Sequence, residues 1–233
     1  MSVPFAVFAS GSGTNMQALL DHEDRGAAYR IEALIVDRAC AAEGRARGKG
    51  RAVYRVDFGE SGAGAEVVRL LGRHAARGLL LAGFLKLLPA EVCRAYPDGI
   101  LNVHPALLPS FGGKGMYGER VHRAVLDSGA KLSGPTIHLV NERYDEGRIL
   151  AQWPVPVLPD DTPQTLAARV LEVEHLLYPA AADALARGLA GRRDGTAGPA
   201  GFAAPRFRWP GTEAHGGAGL GESIRNAFGG AVE

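Results

Sequence analysis

Cysteine is scarce in this chain, with only Cys40 and Cys93 among 233 residues. Two thiols so far apart build neither a disulfide framework nor a metal knuckle, and no pair of histidines has zinc-site spacing, so no metal is expected. An excess of either charge is also missing. The 26 basic side chains against 25 acidic ones leave a net +1, too even a balance to hold a polyanionic nucleic acid through many phosphate contacts. Long apolar runs are absent: the longest uncharged one, residues 78–85, falls far short of the roughly 20 residues of a membrane helix. The first residues show no basic region ahead of an apolar one, so no secretion signal is expected. Together these absences predict a reduced, cytoplasmic setting with neither nucleic acid nor a membrane as partner. Lysine is rare too, at four positions (Lys49, Lys86, Lys114, Lys131); that scarcity carries no functional reading.

What is present alternates. VPFAVFA at 3–9 reads as a buried strand stopped by Gly11 and Gly13, and a helical pattern opens at Asn15. Strands are expected at 33–36, 52–56, 79–84 and 100–104, with helices at 41–48, 63–77 and 89–96 between them. Strands alternating with helices predict an α/β fold with a doubly wound, mostly parallel Rossmann-like sheet covered by helices on both faces. Residues 105–118 carry four glycines and two prolines, a loop too long to be a plain connector. A helix at 119–128, apolar runs at 135–140 and 149–157, and a long helix at about 162–189 follow, with Thr162 as its cap. Pro154 and Pro156 mark the far end of the 149–157 run as an edge. Beyond residue 187 glycine, alanine and arginine dominate and periodicity fades. The expected organisation is a catalytic domain over 1–189 and a loosely packed or partly disordered extension over 190–233.

Three segments could carry chemistry. SGSGTN at 10–15 lies between the first strand and first helix, where glycines and free N–H groups at a helix start suit a single phosphomonoester; a tight turn capped by Asn15 is the alternative. The dinucleotide fingerprint is incomplete because position 16 is methionine. In LNVHP at 101–105, strand alternation turns Asn102 and His104 to one face at the carboxyl end of their strand, where open α/β sheets bind ligands. An amide offers a donor to a developing oxyanion and an imidazole can lend or take a proton. Asp145, before Glu146 and Gly147, is either turn chemistry or the carboxylate partner of His104. Among the remaining histidines, His138 reads as structural, His74 and His122 as surface or boundary residues, and His175 as ambiguous.

SGSGTN, AGFLKLLP at 82–89, LNVHPALLPSF at 101–111, GPTIHLV followed by Asp145-Glu146-Gly147, and VEHLLYP at 173–179 together resemble the folate-dependent glycinamide ribonucleotide formyltransferases of purine synthesis, in the same order over about residues 3–190. The resemblance implies transfer of a formyl group from 10-formyltetrahydrofolate, as co-substrate, to the amino group of glycinamide ribonucleotide. It implies Asn102, His104 and Asp145 as catalytic residues; Gly13, Thr14 and Asn15 at the ribonucleotide phosphate; and Glu174 at the ribose. For the folate it implies Leu85, Lys86, Leu88, Val103, Asn141 and Asp145. It also allows a homodimer. Two features depart from the pattern. Lys86 stands where arginine is common, which loses a bidentate grip on a carboxylate, and residues 112–118 form a longer variant of the substrate lid.

In chemical terms, an amine attacking a formamide carbon needs an oxyanion donor and a proton for the departing nitrogen. Asn102 is expected to supply the first. His104, kept protonated by Asp145, is expected to supply the second, with no covalent enzyme intermediate. The alternatives are a methionyl-tRNA formyltransferase, a formyltetrahydrofolate hydrolase, and a nucleotide- or folate-binding module without turnover. The first is disfavoured by the short, mixed-charge segment after the long helix, and the second by the absence of a domain ahead of the first strand.

Overall fold

In the first apolar run every residue but Pro4 is buried, because the strand it forms is central and covered on both sides. The computed structural model describes residues 2–191; the expected extension over 190–233 lies, from residue 192 on, outside the described residues. The elements run β1 (Val3–Ala9), α1 (Thr14–Glu23), β2 (Tyr29–Val36), α2 (Ala41–Gly48), β3 (Ala52–Arg55), α3 (Ala63–Arg73), β4 (Gly78–Leu81), α4 (Ala90–Ala95), β5 (Ile100–His104), α5 (Glu119–Asp127), β6 (Leu132–Ser133), β7 (Thr136–Leu139), β8 (Ile149–Gln152), β9 (Val155–Pro156) and α6 (Pro163–Ala190). Seven strands form one sheet in the order β3-β2-β1-β4-β5-β7-β8. The first five are parallel; β7 pairs antiparallel with β5, and β8 pairs antiparallel with β7 at the edge. The expected doubly wound, mostly parallel sheet is the architecture found.

Side-chain alternation divides the core. Phe5, Val7, Leu101 and Val103 pack with α1 and α6 on one face; Ala6, Phe8, Leu79 and Ile100 pack with α3 and α4 on the other. Asn102 and His104 share the parity of Ile100 and point to that second face. The long helix is set by its ends and one tyrosine. Thr162 Oγ1 accepts from the Thr165 N–H at 3.2 Å and Thr165 Oγ1 accepts from the Thr162 N–H at 2.9 Å, with Pro163 at the first helical position. Midway along α6, the Tyr178 hydroxyl lies 3.1 Å from both the Leu81 and the Leu101 carbonyls. That contact sets α6 across the carboxyl ends of β4 and β5.

Several boundaries differ from expectation for local reasons. The strand expected at 33–36 begins at Tyr29, because Tyr29 and Ile31 face inward while the charged Arg30 and Glu32 interrupt the apolar run. The run expected at 79–84 leaves the sheet after Leu81 and turns at Gly83, whose φ is 72°. The helix expected to reach residue 77 ends at Arg73, since Ala75 takes a φ of 47°. The run at 149–157 divides: β8 is the edge strand of the main sheet, whereas β9 pairs with β6 in a separate two-stranded ribbon. Pro154, with no N–H to give a ladder, falls at the break.

Candidate active site

The cavity opens where β4 and β5 end, about 750 Å³ in volume, walled by those strand ends, the loop at 113–118, the starts of α5 and α6, and Asp145. That position is the one strand alternation predicts for a ligand. Of the residues singled out from sequence, Asn15, Leu85, Lys86, Asn102, Val103, His104, Asp145 and Glu174 all line it. Gly13 caps α1 and Thr14 is its first residue; both precede Asn15, and neither lines the cavity. Leu88 is buried in the core beneath α3 and α4, and Asn141 shapes the next loop by accepting the Arg143 N–H at 2.9 Å.

His104 is 3% exposed, and each ring nitrogen meets an acceptor. Its Nε2 lies 2.9 Å from the Phe111 carbonyl and its Nδ1 3.6 Å from Asp145 Oδ2. A carbonyl can only accept, so Nε2 carries the hydrogen of the neutral ring and Nδ1 is bare. Burial lowers the pKa of His104, and the Asp145 charge only partly offsets it. This corrects the expectation that Asp145 keeps His104 protonated: taking an imidazolium out of water costs more here than one carboxylate returns.

Asp145 reaches this place because the loop after β7 folds back along the sheet face. Its φ is 55°, a left-handed conformation that aspartate tolerates better than most side chains. Oδ2 accepts the Gly113 N–H at 2.9 Å, and Oδ1 lies 3.5 Å from His138 Nε2. Burial pushes the carboxyl up, but His138 and His104 in their protonated forms, together with the Gly113 N–H, hold it below the ordinary aspartate value.

His138, read from sequence as structural, belongs to the site. Its Nδ1 lies 2.8 Å from the Leu139 carbonyl, so Nδ1 carries the hydrogen, and its bare Nε2 accepts from Asn102 Nδ2 at 2.9 Å. This fixes the amide with its NH₂ toward the site, one hydrogen used and one left to give. The signal was the register: β5 and β7 pair antiparallel with Asn102 opposite His138, so the two share a face. His104 lies opposite Thr136. The Thr136 hydroxyl donates to the Ala106 carbonyl at 2.6 Å and accepts the Leu108 N–H at 3.0 Å, which steadies the loop carrying Phe111.

At the far end of the cavity Asn15 Nδ2 donates to Glu174 Oε2 at 2.6 Å, and Asn15 Oδ1 is sealed without a partner among the described residues. With one neutral amide for company, Glu174 has its pKa pushed up to about 7 by burial, which the Asn15 bond offsets only in part. Gly13 has a φ of 72°, and a Cβ there would stand 2.8 Å from Ala42 of α2, so no other residue fits. His122, read as a surface or boundary residue, is 4% exposed and lines the cavity. His74 is half-buried, 2.8 Å from the Tyr54 hydroxyl, and His175 is half-buried with an unpartnered Nε2 among the described residues.

Comparison with known proteins gives a family and a shared fold. Residues 3–182 match the formyl transferase family. The chain is 47% identical over 180 residues to the chloroplastic phosphoribosylglycinamide formyltransferase of Arabidopsis thaliana, covering 74% of this chain and 62% of that protein. It is 45% identical to the corresponding protein of Vigna unguiculata, covering 60% of it, so the chain spans less than two thirds of the length of these plant relatives. Among solved structures, glycinamide ribonucleotide transformylase 1 from Symbiobacterium toebii superposes with a TM-score of 0.75 at 36% identity, covering 80% of this chain and 89% of that one. Phosphoribosylglycinamide formyltransferase from Brucella melitensis does so with a TM-score of 0.72 at 37% identity, covering 83% and 98%. On the extent of the match and the fold it shares with these proteins, the chain belongs to the formyl transferase family.

Proposed function

We propose that the chain transfers the formyl group of 10-formyltetrahydrofolate to the amino group of glycinamide ribonucleotide, a step of purine synthesis. The observation that carries this reading is the convergence of Asn102, His104 and Asp145 on one cavity wall, with His104 Nδ1 3.6 Å from the carboxylate. The neutral amine attacks the formyl carbon, and the carbonyl oxygen becomes an oxyanion that takes the free hydrogen of the Asn102 amide. As the new C–N bond forms, the bare Nδ1 of His104 accepts a proton from the amine, and Asp145 stabilises the resulting imidazolium. The same Nδ1 then gives the proton to the folate nitrogen N10 as its bond to the formyl carbon breaks. One imidazole thus acts as base and then as acid, and no covalent enzyme intermediate is needed.

The ribonucleotide occupies the end bounded by Gly13, Thr14, Asn15 and Glu174. The Glu174 carboxylate is an acceptor matched to a ribose hydroxyl. The folate takes the side lined by Leu85, Lys86, Val103 and Asp145, with Leu88 behind it and Asn141 shaping the loop. Lys86 is exposed and offers a single-point ammonium for the folate carboxylate. A cytoplasmic location is part of the proposal, supported by two free thiols; no helix among the described residues is long and apolar enough to cross a membrane.

The deciding assay mixes the protein with 10-formyltetrahydrofolate, with and without glycinamide ribonucleotide, and follows tetrahydrofolate absorbance. Release only with ribonucleotide is the expected result. Release without it identifies a hydrolase, and binding without release a non-catalytic module; either rejects the proposal.

Glu174 gives a separate expectation. A carboxyl whose folded pKa is near 7, against an ordinary value of about 4.3, favours folding below its unfolded value. That contribution is lost as pH rises through the window between the two, a cost on the order of 3 kcal/mol above it. Glu174→Gln therefore melts at a higher temperature than the parent at pH 8 and at about the same temperature at pH 4, while its KM for ribonucleotide rises by ~10-fold or more for lack of the charged acceptor. Equal melting temperatures at pH 8 would show that Glu174 is not held as described.

A further inference from the structure

His122 has no task in the reaction as described, although it stands on the cavity wall in the first turns of α5. It is 4% exposed, and its Nδ1 is sealed from solvent with no hydrogen-bond partner among the described residues. A hydrogen on Nδ1 would be buried and unused. The favoured tautomer therefore carries it on Nε2, the nitrogen through which the ring can reach the cavity. Burial first, and then the charge on His104, pulls the pKa of His122 down to about 4. At neutral pH the ring is accordingly an uncharged donor.

An uncharged donor fits a carbonyl oxygen. A phosphate or carboxylate is better met by the cations Lys114 and Arg120 on the same wall. In glycinamide ribonucleotide the carbonyl nearest the attacking amine is the glycinamide carbonyl, one methylene away. We infer that His122 donates from Nε2 to the glycinamide carbonyl and so holds the amine against the formyl carbon, selecting for the amide as well as positioning it. This inference rests on the proposed transfer reaction and adds a specificity contact to it.

The test compares two ligands by calorimetry at pH 7.5: glycinamide ribonucleotide and ribose 5-phosphate, which lacks the amide. His122→Phe keeps a flat ring and loses the donor. It weakens glycinamide ribonucleotide by ~10-fold and leaves ribose 5-phosphate and the KM for folate within about twofold of the parent. His122→Asn, which keeps an N–H donor, recovers part of the loss and serves as the test if the phenylalanine variant does not fold. Equal weakening of both ligands, or an unchanged affinity for glycinamide ribonucleotide, overturns the inference. A parent protein that turns over no ribonucleotide removes the proposed function itself, whereas active parent protein with an indifferent His122 removes only this contact.

Discussion

Asp145→Asn lowers kcat by ~10² or more with the fold intact, and His104→Ala does the same. The asparagine is isosteric and can still accept the Gly113 N–H, so the loop keeps its anchor. What it loses is the negative charge 3.6 Å from His104 Nδ1, which opposes the desolvation of an imidazolium at a site only 3% exposed. Without that charge the proton taken from the amine has no stable holding place, and the barrier rises at the step where His104 becomes charged. Circular dichroism and thermal unfolding check the fold, and saturating kinetics read kcat. Wild-type turnover in either variant would remove the residue concerned from the mechanism.

Gly147→Ala is expected to be nearly as damaging, although it touches no substrate. A Cβ at this position would lie 1.7 Å from the Leu139 carbonyl oxygen and 3.4 Å from His138 Nδ1. The closest of these neighbours is backbone of β7, which cannot swing aside, so the loop must lift off the sheet. That loop carries Asp145, and a displacement of ~1 Å in a positioning group can cost ~10² in rate. The expected result is a fall in kcat of at least ~10-fold with a modest loss of melting temperature. Unchanged kinetics would mean that Asp145 is held by something other than the folding-back of its loop.

How far the sequence disclosed this depends on the range over which each signal acts. The run VPFAVFA has no polar residue to expose, and its place as a buried parallel strand follows from composition alone. The shared face of Asn102 and His104 follows from a period of two. His138 escaped because its place depends on which strand neighbours β5 and in what register, and Asn102 finds His138 across 36 positions. Asp145 was visible as a candidate, but its approach to His104 comes from a loop folding back over the sheet, which spacing does not encode. His122 was misread because a short helix with charged neighbours reads as exposed; its burial against the cavity wall is set by how α5 packs on α6. The protonation of His104 was misjudged for a further reason: an adjacent carboxylate can be read from a motif, but the desolvation opposing it is known only once burial is known.

For one ring to take and return the proton, His104 must rest neutral, with its hydrogen on Nε2 and Nδ1 bare toward Asp145. A side-chain nitrogen NMR titration of His104 in the free protein, parent and Asp145→Asn, tests it directly. The expected result is a neutral Nε2–H imidazole at pH 7.5, a titration below the ordinary histidine range in the parent, and one lower still in the variant. A ring already charged at pH 7.5, a hydrogen on Nδ1, or a titration unmoved by removing the carboxylate charge would contradict it.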